Sequence, residues 1–81
     1  MKNIRAAIVL HMLYEILDNG FFSEQSVMEA LSISRSTFFR ALSDYRCYLL
    51  EHRPWEEIEF NSAKQEYRLV KVGSSNLKSL F

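Results

Sequence analysis

The chain has one cysteine, Cys47, among its 81 residues, so no internal disulfide can form and a reduced, cytoplasmic setting is the simplest reading. One proline, Pro54, and two glycines leave few places where regular structure must break. No apolar run is long enough to cross a membrane: AAIVL at 6–10 continues into HMLY but meets His11 and then Glu15. Lys2 and Arg5 precede that run, yet no small-x-small cleavage site follows it, so a secretory leader is not expected. Net charge is absent too, with ten basic side chains against ten acidic ones, which disfavours a generic polyanion binder. His11 and His52 are far apart and have no neighbouring ligand set, so neither a metal site nor any other cofactor is expected. Cys47 has no glycine-rich turn or orienting motif beside it, and an enzyme is not expected.

Apolar material, by contrast, is plentiful. Nearly half the residues are hydrophobic and 14% are aromatic, enough for one small core and too much for a disordered chain. Charge is also unevenly placed. Residues 1–31 hold two basic and four acidic side chains, while residues 32–53 hold Arg35, Arg40, Arg46 and Arg53 against Asp44 and Glu51. Glu56, Glu57 and Glu59 then make an acidic run, and Lys64, Arg68, Lys71 and Lys78 outnumber Glu66 in the last stretch. Positive charge therefore comes in two blocks, and partners respond to local fields.

Periodicity divides the chain into three helices and a hairpin. Residues 2–19 lack Gly and Pro, with Ile4, Val9, Met12, Leu13, Ile16 and Leu17 as a wide apolar stripe that Ala6, Ile8 and Leu10 extend. Gly20 stands where a left-handed C-terminal residue is expected. So broad a face implies contact with several elements or with a second copy, and a homodimer is expected. Phe21 and Phe22 form a short extended link. Ser23 caps a second helix over 24–31, built on Val27, Met28 and Leu31, with Glu24 in its first turn. Ser32–Ser34 is a break, and Ser34 caps a third helix over 35–51, stopped by His52, Arg53 and Pro54. Beyond Pro54 the period falls to two: Ile58 and Phe60, then Tyr67 and Leu69, alternate with charged residues around 61–65, giving a hairpin over 58–70. Trp55 is expected to anchor that hairpin to the core. Residues 1–72 make one domain and 73–81 a tail in which Leu77, Leu80 and Phe81 are the apolar residues.

Two helices joined by a three-residue turn, with the second presenting a polar face, match the arrangement that reads the DNA major groove. On a 100° wheel, Phe38, Leu42, Tyr45 and Leu49 gather on one side of the third helix; Ser36, Phe39, Arg40, Ser43 and Cys47 gather on the other. Arg40 can reach guanine O6 and N7, Ser36 and Ser43 are small enough for close approach, and Phe39 suits a thymine methyl or a partner surface. Arg35, Ser36 and Thr37 occupy the first turn, where the helix dipole and free N–H groups favour phosphate. Arg46 on the flank, Lys64 in the hairpin loop and Arg68 on its second strand are candidate backbone contacts.

The run AAIVLHMLYEILDNGFFSEQSVMEALSISRSTFFRALSDY resembles the winged helix-turn-helix domain of DeoR-type and WYL-domain bacterial transcriptional regulators. The shared recognition-helix pattern falls on Ser34, Arg35, Thr37, Phe38 and Arg40. EIEFNSAKQEYRLV is similar to the wing of those regulators, and Ala41 stands where they commonly have an acidic residue. The resemblance covers about residues 6–70. It implies a mostly α fold, three helices plus a small β-hairpin, that binds double-stranded DNA in a sequence-specific way to regulate transcription. A winged helix used for protein–protein assembly is the alternative. For DNA binding to hold, the acidic run must point away from the groove.

Overall fold

The computed structural model describes residues 4–71; the tail expected at 73–81 lies outside the described residues. Helices α1 (Ile4–Asn19), α2 (Glu24–Leu31) and α3 (Arg35–His52) precede strands β1 (Glu56–Asn61) and β2 (Glu66–Lys71). The protein is thus mostly helical with one antiparallel hairpin, a helix-turn-helix with a β-hairpin wing. Among the described residues no helix is long and apolar enough to cross a membrane.

Local signals set the helix boundaries. Gly20 takes φ of 92°, a conformation costly for other residues, and its N–H donates to the Ile16 carbonyl to end α1. Ser23 accepts from the Ser26 N–H at 3.0 Å and Ser34 accepts from the Thr37 N–H at 3.2 Å, so both later helices begin on a serine cap. Each such cap contributes about 0.5–2 kcal/mol. Between α2 and α3 the turn is three residues, and Ser32 adopts the left-handed conformation at φ of 53°. A shape-neutral glycine would relieve that strain, but the Ser32 N–H still donates to the Met28 carbonyl and closes α2.

The core is aromatic at its centre. Phe22 and Phe38 are completely buried, and Tyr67 is nearly so. The Phe22 ring stacks on Tyr67 at 5.2 Å and 13°, and meets Phe38 edge-on at 6.3 Å. Phe22 also exchanges two backbone hydrogen bonds with Tyr67, its N–H donating at 2.9 Å and its carbonyl accepting at 2.7 Å. The extended link expected at Phe21–Phe22 therefore acts as a one-residue third strand on the edge of β2. Around these rings pack Ile8, Met12, Val27, Ala41, Leu42, Tyr45, Leu49 and Ile58.

Three expectations need correcting. In α1 the buried line is Ile8 and Met12, with Val9 and Ile16 at its edge, while Ile4 and Leu17 are exposed. The stripe was apolar around so much of the helix that its composition could not mark which side faces inward. Trp55 does not anchor the core: it is exposed, with the Arg53 guanidinium 5.2 Å from its ring centre. The hairpin also begins earlier than expected, because Glu56 pairs with Lys71 ahead of Ile58 with Leu69.

The α3–β1 connection is held by charge. Arg53 Nε donates to Glu56 Oε1 at 2.7 Å and Nη2 to Oε2 at 3.3 Å, a two-pronged clamp across a three-residue separation. The hydrogen bond to Arg53 holds the Glu56 carboxyl below its usual range despite the opposing effect of its burial.

Unfolding measurements should separate the two adjacent phenylalanines of α3. Phe38→Ala is expected to cost about 3–5 kcal/mol by opening a core cavity, whereas Phe39→Ala should cost about 1 kcal/mol or less, the worth of one edge contact. For the clamp, the depressed carboxyl stabilises the fold above its unfolded pKa, and that contribution is lost as pH falls through the folded value. Glu56→Gln should therefore be less stable than the natural protein at neutral pH, with the gap closing on acidification below the carboxylate range; a constant gap across pH would refute the clamp.

Candidate nucleic-acid interface

The outward face of α3 is built by the same spacing that builds its core face. Phe38, Ala41, Leu42, Tyr45 and Leu49 point inward, so Ser36, Phe39, Arg40, Ser43, Arg46 and Cys47 stand exposed. Ala41 was absent from the expected core line, and it is completely buried one turn beyond Phe38. An acidic side chain at that position would be buried without a partner in the core, so the alanine follows from packing. Leu50 also joins the outward half of the helix, more exposed than any other large apolar residue of α3.

Arg40 and Arg46 make no ion pair with any described residue, and both are exposed. Arg35 differs. Its Nε lies 2.9 Å from Glu24 Oε2, and its guanidinium carbon sits 5.6 Å from the Phe39 ring centre. Thr37 is half-buried and its hydroxyl accepts from Ser34 Oγ at 2.9 Å, which places it in the cap of α3. Ser36 Oγ lies 3.3 Å from Ser34 Oγ and remains exposed. The first turn of α3 is therefore a hydroxyl cluster with one arginine bridged across to α2.

Phe39 is only partly turned outward. It is 38% exposed, yet its ring meets the Phe38 ring edge-on at 5.0 Å and lies under the Arg35 guanidinium. It covers the rim of the core and still shows a face to solvent. Side chains of α3 with that double role are hard to assign from a helical wheel, which treats each residue as pointing straight outward.

On the hairpin the register settles where the acidic run goes. Ile58 and Tyr67 are buried on the inner face, so Glu57 and Glu59 fall on the outer face, and Glu56 is taken up by Arg53. Arg68 lies directly across from Glu59 on that outer face, so its charge is offset locally. Lys64 is exposed in the loop at the hairpin tip, where its N–H donates to Asn61 Oδ1 at 3.2 Å. Arg46 shares a shallow groove between α3 and β1 with Leu50, Glu57, Glu59 and Phe60. Arg35, Arg46 and Glu24 all act on Tyr67: burial and Glu24 push its phenol up, and the two arginines pull it down. The two α3 flanks thus differ, one setting Arg46 beside Glu57 and Glu59 of the hairpin and the other pairing Asp44 with Arg5 of α1 at 3.2 Å.

Of the nine residues expected at the interface, Ser36, Phe39, Arg40, Ser43 and Arg46 share the outward half of α3. Arg35 and Thr37 are engaged at its first turn, and Lys64 and Arg68 stand apart on the hairpin. Among the described residues no cluster of three or more histidine, cysteine or acidic side chains is arranged to hold a metal ion. No family model, no curated protein and no solved structure matches the chain.

Proposed function

We propose that the protein is a double-stranded DNA-binding transcriptional regulator of the winged helix-turn-helix kind, with α3 entering the major groove. The observation that carries this reading is the exposed face of α3. Ser36 and Ser43 flank Arg40, whose guanidinium has no acidic partner among the described residues. Small side chains let the helix approach base edges, and an unpaired arginine can take guanine O6 and N7 in a two-pronged bond. Arg46 reaches phosphate from the flank, and Lys64 does so from the hairpin tip. Arg35 joins them by exchanging Glu24 for a phosphate near the first turn of α3, where the helix dipole favours an anion. The wing engages through its tip, because Glu57 and Glu59 make its outer face repel a phosphate backbone. This is the role expected of regulators resembling the DeoR and WYL-domain type.

A second reading, an assembly module that binds protein instead of DNA, is favoured by the exposed apolar residues Leu10, Tyr14 and Leu17 of α1. Those residues are on a different helix from Arg40, so the two readings make separable demands.

Selection from a pool of random duplexes at fixed salt, followed by a salt titration of the enriched sequence, tests the DNA reading. Enrichment of a defined sequence is expected, with affinity falling as salt rises because phosphate contacts release counterions. Arg40→Ala should weaken the enriched complex by about 1–3 kcal/mol and relax preference at one position, since it removes a base contact. Lys64→Ala should instead weaken all duplexes alike and reduce the salt slope. Absence of salt-sensitive binding at low ionic strength would overturn the proposal.

A further inference from the structure

Helix α1 is apolar on the side it turns away from the core. Ile8 and Met12 face inward, and opposite them stand Ala6, Ala7, Leu10, Leu13, Tyr14 and Leu17 with no charged residue among them. Leu10, Tyr14 and Leu17 are each more than half exposed. A helix apolar on both sides belongs between two layers, and within the described fold only one side of α1 is covered, by α2 and α3. Next to this outer face, between α1 and α3, runs a groove of about 850 Å³ whose walls include Leu13, Leu17 and Tyr48.

We infer that a second copy of this chain covers that face, with the two α1 helices packed antiparallel about a two-fold axis at Met12. The spacing of the exposed residues carries the inference. Ala7, Leu10, Tyr14 and Leu17 recur at three, four and three residues, the seam of two helices packed side by side. About residue 12 the same seam is self-complementary: Ala7 faces Leu17 of the second copy, and Leu10 faces its Tyr14. Small therefore meets large at both ends, which lets the helices approach, and the two-fold makes each contact twice. The groove beside the seam takes up side chains of the second copy that overhang it.

The order of sizes along the seam selects the antiparallel orientation. Antiparallel packing sets Ala7 against Leu17 and opposes the two helix dipoles. Parallel packing would set Ala7 against Ala7 and Tyr14 against Tyr14, leaving a gap at one end and crowding further along, and would align the dipoles. The pairing goes beyond DNA binding and does not depend on it, since it uses α1 and leaves the outward face of α3 uncovered.

Sedimentation equilibrium of the full chain reads the stoichiometry, and a dimer is expected at concentrations of tens of micromolar. Leu10→Asp and Tyr14→Asp should each weaken association at least about 100-fold, as loss of a central interface anchor does, with the circular dichroism spectrum unchanged because neither side chain is in the core. Orientation is read by oxidation in a Cys47→Ser background. Ala7→Cys with Leu17→Cys in the same chain should give covalent dimers, and either substitution alone should not. A chain that sediments as a monomer overturns the inference, as does a dimer indifferent to Leu10→Asp or one cross-linked by Ala7→Cys alone.

Discussion

The structure depends on the contact between Phe22 and Tyr67. These residues are far apart in the chain, yet they exchange two backbone hydrogen bonds and stack their rings at 5.2 Å. A two-stranded hairpin is only marginally stable by itself in water. Here its second strand gains a partner from the segment ahead of α2, and its buried tyrosine lies against Phe22 and Phe38 together. The same contact therefore closes the helical part onto the hairpin and fixes where α2 begins, because Ser23 caps that helix one residue later. Phe38 completes the arrangement from α3, so the helix that carries Arg40 is oriented by the ring cluster beneath it.

From this anchor the distribution of charge follows. The three helices and the hairpin bring Arg5 to Asp44, Arg35 to Glu24 and Arg53 to Glu56. Pairs of this kind on the surface add little to stability. Their greater effect is on what remains for a partner. Pairing ties Asp44, Glu24 and Glu56 to Arg5, Arg35 and Arg53, so Arg40 keeps no acidic partner among the described residues, whereas Arg46 shares its groove with Glu57 and Glu59 of β1. In a chain with no net charge, pairing of this kind decides which individual charges stay available.

Much of the fold was legible because its signals are local. Serine caps at 23 and 34, Gly20 after α1 and the change of period after Pro54 all act within a few residues, and each marks an element boundary in the structure. The outward placement of Ser36, Arg40 and Ser43 was legible for the same reason, since helical spacing alone separates them from Phe38, Leu42 and Tyr45. The phase of α1 was not. Apolar residues surround that helix, so spacing allowed several inward faces, and only packing against α2 and α3 selected Ile8 and Met12.

Capping, periodicity and turn chemistry were enough to set the three helices, the hairpin and the polar face of α3, because they need no distant contact. Tertiary structure decided which charges stay available, that Arg35 is tied to Glu24, that Phe39 covers the core rim while keeping an exposed face, and that Trp55 stands under Arg53 in solvent. Those outcomes depend on which residues meet across elements, and contacts between distant residues are set by the packing of the whole core and not by spacing along the chain.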